Sequence, residues 1–126
     1  MATVTINNKA GAGDGSSVSF QWTLTTADAT GDGIEFMEWA DVTWLFDGQA
    51  TWGGATAKIQ GSADNVTWVT TGLNAAAGGA EATASADKVL TIIERPRFIR
   101  PKLTTGGTLA TVIVTALARR ATPLRT

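Results

Sequence analysis

Cysteine, histidine and tyrosine are all missing from this chain of 126 residues. Without cysteine there is no disulfide framework and no thiolate chemistry, and the redox compartment leaves no mark on the sequence. Without histidine, metal sites built on imidazole, Ser-His-Asp triads and Cys-His dyads are closed. Charge is sparse as well. Asp, Glu, Lys and Arg make up 17% of the residues, against roughly 25% in an average domain. No apolar run approaches the ~18 residues that cross a bilayer. Met1–Asn7 lacks the basic and apolar stretches of a signal peptide. The expectation is therefore a soluble protein with no membrane partner.

What is present is Thr, Ala and Gly in quantity, with five tryptophans. The length suits one domain, residues 1–126, with 1–3 and 119–126 as loosely held ends. Charge is segregated along the chain: residues 1–87 carry Lys9 and Lys58 against ten carboxylates, whereas residues 88–126 carry eight Lys or Arg against Glu94 alone. Folding either keeps these apart as an acidic and a basic face or mixes them.

Alternation of apolar and polar residues with β-branched and aromatic enrichment runs throughout. Val18–Thr25 places Val18, Phe20, Trp22 and Leu24 on one face, and Asp41–Asp47 does the same with Val42, Trp44 and Phe46. Further strands are expected at Thr56–Gly61, Thr67–Thr71, Val89–Ile93, Phe98–Leu103 and Ala110–Ala118. Ala57–Trp68 reads as a strand, a tight polar turn and a return strand opening on Trp68. Lys9–Ser17 and Asp28–Gly33 read as loops in which glycine reaches positive φ. Leu73–Asp87 is a long loop or carries a weak strand near Glu81–Ala84, and Ile34–Ala40 is a strand or a single helical turn. About eight short strands without strand–helix alternation indicate an all-β, antiparallel β-sandwich, with a jelly roll as the expected form. The expected inward set is Phe20, Trp22, Leu24, Val42, Trp44, Phe46, Ile59, Trp68, Leu90, Ile92, Ile99, Leu103, Val112 and Val114.

No residue set announces a reaction, so the protein is read as non-enzymatic. Two-carboxylate glycosidase chemistry needs acids paired across a cleft, and Asp14, Asp28, Asp32, Asp47 and Asp64 instead sit in or beside turns, where Asp bonds its own backbone. Asp28–Gly33 lacks the alternating oxygen ligands and closing Glu of a calcium loop. Gly11–Ser16 is not followed by the Lys-Ser or Lys-Thr of a phosphate loop. No metal and no cofactor is expected. Arg95, Arg97, Arg100 and Lys102 form the densest basic cluster, joined by Arg119 and Arg120 in the tail. In an extended strand Arg95 and Arg97 share a face opposite Phe98 and Arg100. Pro96 and Pro101 lack backbone donors, which predicts an edge strand. These arginines, with Trp39 and Trp52 as partly exposed anchors, are the candidate interface. The chain is not basic overall and has no aromatic-rich basic platform, so no nucleic-acid partner is expected.

Gly53–Trp68, followed by Arg97-Phe98-Ile99-Arg100-Pro101, resembles small β-sandwich or jelly-roll virion proteins of tailed bacteriophages. That resemblance implies a capsid decoration or cement protein, commonly a trimer, seated on the major capsid protein at the virion surface after synthesis in the host bacterial cytoplasm. The Gln60-Gly61-Ser62-Ala63-Asp64 run ending on Trp68, with the later Phe98-Ile99-Arg100, is also similar to discoidin-like carbohydrate-binding jelly rolls. This second resemblance implies glycan or host-surface binding through a loop site with Trp52 or Trp39.

Overall fold

A computed structural model describes residues 2–7, 17–37, 39–49, 52–104 and 110–120. The expected loop at Lys9–Ser17 lies, up to residue 16, outside the described residues, as does the tail from 121 onward. Among the described residues, nine strands form two antiparallel sheets: β1 (Thr5–Asn7), β2 (Ser17–Thr25), β3 (Ile34–Glu35), β4 (Trp39–Asp47), β5 (Thr56–Ser62), β6 (Thr83–Ala84), β7 (Lys88–Leu90), β8 (Phe98–Thr104) and β9 (Thr111–Arg120). One sheet has the order β1-β2-β9-β4-β7, the other β3-β8-β5-β6. The result is an all-β sandwich. Its pairings nest, β2 with β9, β3 with β8, β4 with β7 and β5 with β6.

The core follows from period-two alternation. Val18, Phe20, Trp22 and Leu24 of β2, Trp44 and Phe46 of β4, and Val112, Val114, Ala116 and Ala118 of β9 point inward and are buried. The central strand β9 carries the small partners. Ala116 stands between Phe20 and Trp44, and Val114 between Trp22 and Phe46, so large rings fill the space that small side chains leave. Trp22 and Trp44 stack with centroids 5.8 Å apart at 14°. The facing sheet contributes Ala57, Ile59, Ile99 and Leu103, and each large side chain buried in such a core stabilises the fold by about 2 kcal/mol.

Several expectations change. Thr67–Thr71 is not a strand; Ser62 and Trp68 form a lone bridge. The Asp64 carboxylate accepts the N–H groups of Val66 and Thr67 at 2.9 and 2.8 Å, and Asn65 sits at φ 62°. Donors held by a side chain cannot enter a ladder. The segment returns along β5 irregularly, with Val69 bonded to Gly61 and Leu73 to Ile59. Trp68 is accordingly half-buried and outside the core cluster, whereas Val42, Leu90 and Ile92 are half-buried and pack against it, as expected. Val89–Ile93 shortens to Lys88–Leu90, with a lone bridge between Ile92 and Ala75.

Strand β8 is interior, not an edge. Strand β5 flanks it along its whole length. On the other side stand β3 and then residues 29–31, through Gly31 N–H to Pro101 O (3.0 Å) and Leu103 N–H to Ala29 O (2.7 Å). Pro101 and Leu103 therefore turn their main-chain polar groups toward 29–31. The missing N–H of Pro101 faces that irregular stretch and breaks no ladder bond with β5. Arg95 and Arg97 precede the strand, so they do not alternate with Phe98 and Arg100. Gly31 and Gly33 have no positive φ. They are small because Trp22 and Pro101 press on Gly31 and Trp68 on Gly33, where an added Cβ would lie 2.7 Å from each indole. Where described, the two ends are held: Ala2 is buried and bridges Gly31, and Arg119 and Arg120 finish β9.

Candidate functional site

Four of the singled-out arginines surround the connection from β3 to β4. Arg95 donates from Nη1 to the Trp39 carbonyl at 3.0 Å. Arg97 donates from Nε to Glu35 at 2.8 Å, while its own carbonyl accepts the Phe36 N–H at 3.0 Å. The end of β9 places Arg119 opposite Asp41 and Arg120 opposite Trp39, with a bulge between. Arg119 reaches the Asp41 carboxylate at 3.3 Å, and the Arg120 guanidinium lies 4.7 Å from the Trp39 ring centre. Glu35, Phe36, Trp39 and Asp41 thus meet a collar of Arg95, Arg97, Arg119 and Arg120, with Met37, 67% exposed, at the turn.

The charge segregation of the chain does not survive folding. Glu35 and Asp41, from the acidic two-thirds, take Arg97 and Arg119 from the basic third. Both pairs are well exposed, with side-chain exposures of 58% and 48% in the first and 71% and 67% in the second. Pairs of that kind stabilise by about 0.2–1 kcal/mol, so they exchange readily for another acidic partner.

Trp39 is not a partly exposed anchor. It is buried and packs edge-on against Phe20, with centroids 6.0 Å apart. Trp52 is half-buried, and its indole N–H donates to Asp87 at 3.0 Å, where the Gly48 N–H also lands at 2.9 Å. These two bonds, Gly48 first, hold the Asp87 carboxyl below its ordinary range.

Arg100 and Lys102 lie on the outer face of β8. Arg100 covers the Trp68 ring at 4.3 Å and donates from Nε to Gln60 at 3.0 Å. Burial lowers its pKa, although a guanidinium stays charged. Lys102 stands opposite Lys58, a repulsive cross-strand pairing. The Lys58 ammonium turns away to the Thr70 carbonyl at 2.7 Å.

Beside the arginine collar runs an apolar groove of about 820 Å³. Gly61, Val69, Leu73 and Pro96 line it, with Glu94, Arg95 and Arg97. A Cβ at Gly61 would lie 2.6 Å from Pro96, so glycine alone permits this close approach. Val69 is 61% exposed in the groove.

The carboxylates that are held serve loops. Asp64 is lowered by the N–H groups of Thr67 and Val66, then by Ser62, and Glu94 chiefly by the Asn74 N–H. In the Asp28–Gly33 stretch, Thr30 bridges Lys102 and Gly31 bridges Ala2. Among the described residues, no three His, Cys, Asp or Glu are grouped to hold a metal. The sequence reading missed the groove, Met37 and the grouping of Asp32, Gly33 and Asn65 around Trp68. Only the Asp64-Asn65 turn carried a local signal for any of them. Comparison with family models, curated proteins and solved structures gives no match.

Proposed function

We propose that this protein is a non-enzymatic structural component of a virion, a decoration or cement protein that docks on the major capsid protein of a tailed-phage head. The observation that carries the reading is the groove of about 820 Å³ continuous with the arginine collar. Exposed Val69 and Met37 offer apolar anchors, and the exposed Arg97 and Arg119 pairs offer charges that re-pair with acidic groups of a shell. Apolar anchors within a charged rim are how assembly interfaces are built. The nested strand order supports a jelly-roll reading, an architecture used by capsid and lectin domains. Weak contacts repeated over a symmetric shell add through valency, which suits a surface of modest charge. The sequence resemblance favours a trimer, the closed symmetric assembly that would repeat this surface three times. Cryo-electron microscopy of purified particles tests the proposal: density for the chain on the capsid exterior is expected, and its absence from mature virions overturns it.

A further inference from the structure

A second, smaller recess has lining residues distinct from those of the groove, and its chemistry is different. It measures about 290 Å³ and is lined by Val4, Asp32, Gly33, Asn65, Trp68 and Arg100. Arg100 uses Nε on Gln60, and its guanidinium carbon lies over the Trp68 ring. Neither of its terminal amino groups has an acceptor among the described residues, and no carboxylate pairs with it there. No ion pair engages this guanidinium among the described residues although Asp32 lines the same recess, and its two free amino groups form a fork that matches a carboxylate.

The rest of the recess is built to match. Gly33 lets Asn65 and Trp68 close in, since a Cβ there would lie 2.7 Å from the Trp68 ring. Asn65 is held in the left-handed region at φ 62° by the turn that Asp64 and Ser62 organise, which puts an amide at the rim. Asp32 is bound to the core through its backbone carbonyl, which accepts the Trp22 indole N–H at 3.0 Å. Its carboxylate makes no ion pair among the described residues. A bare carboxylate ligand would meet like charge at Asp32. A ligand that also carries hydroxyls would donate to Asp32 and to the Asn65 carbonyl while Arg100 takes its carboxylate. The geometry points to a binding site for an acidic monosaccharide unit, a uronic-acid-type sugar.

This site is independent of capsid docking, and its test does not involve the shell. Isotope-labelled protein is titrated with glucuronate, with glucose, and with N-acetyl-aspartate amide as a carboxylate without a sugar ring, following the indole N–H signals. Glucuronate is expected to move the Trp68 indole signal, with glucose and the aspartate derivative each roughly tenfold weaker or worse, the loss of one charge-assisted contact. Arg100→Gln is expected to weaken glucuronate by a similar factor. Asn65→Gly, which suits positive φ and so keeps the fold, is expected to weaken it several-fold. Equal response to glucose, no shift with glucuronate, or unchanged binding in both variants overturns the proposal. Equal binding of the aspartate derivative reassigns the recess to a protein side chain and overturns the sugar as its ligand.

Discussion

At the scale of single residues, the two stacked tryptophans look alike in sequence and differ in chemistry. The Trp22 indole N–H bonds the Asp32 carbonyl, whereas the Trp44 indole N–H is buried with no partner among the described residues. Replacing Trp22 by Phe removes a satisfied bond and orphans a carbonyl; replacing Trp44 by Phe removes an unsatisfied donor. Both variants lose buried area. Trp22→Phe is expected to be the more destabilising by about 1 kcal/mol, measured as the difference in urea unfolding free energies. The lowered carboxyls of Asp64, Asp87 and Glu94 set an acid limit. Each has a folded pKa below its unfolded value, 3.8 for Asp and 4.5 for Glu. Their contribution is therefore complete above those values and is lost as pH falls through the folded ones. Thermal midpoints should stay level from neutral pH down to about 5 and drop below about 4. A midpoint that rises on acidification would contradict this assignment.

At the scale of elements, β9 is the middle strand of its sheet, flanked by the long strands β2 and β4. Valine and alanine in β9 are set between aromatic residues of β2 and β4, so a shorter side chain leaves a void that neighbouring rings cannot fill. Val114→Ala is expected to destabilise by about 2 kcal/mol, and Ile113→Ala, on the outer face, by less than about half of that; equal losses in chemical denaturation would refute this account of the core. The long strands β2, β4, β5, β8 and β9 were legible because alternation and β-branching mark a half-buried strand locally. Others were not. Strand β1 has three residues and β3 two, too few for a period to show. The Thr67–Thr71 stretch alternates like a strand, yet Asp64 captures the N–H groups of Val66 and Thr67. Pro101 signalled an edge, yet the side its ring disables faces residues 29–31 rather than a ladder.

At the scale of the whole molecule, folding pairs Glu35 with Arg97 and Asp41 with Arg119 across the two blocks of opposite charge and gathers Arg95, Arg97, Arg119 and Arg120 around one turn. Arginines 95 and 120 lie far apart in the chain, and no local pattern joins them to Trp39. Because Val69 is exposed in the groove, Val69→Asp should leave the unfolding midpoint nearly unchanged, within about 0.5 kcal/mol of stability. The same variant should lose attachment to capsids in a sedimentation assay. Retained attachment would move the docking surface elsewhere on the molecule. Arg97→Ser removes an exposed pair and should likewise be tolerated by the fold while weakening attachment more at low salt than at high salt.

The amino-acid order specifies the all-β class, the long strands and most of the aromatic core, because the side-chain period and turn chemistry act between near neighbours. It also closed histidine and cysteine chemistry through plain absence. Tertiary packing settles which strands are interior, that Trp39 is buried and Trp68 half-buried, and that Arg100 lies over Trp68 with no ion pair among the described residues. Those outcomes depend on which distant segments meet across the two sheets, and the long-range pairings that bring them together leave no local period to read.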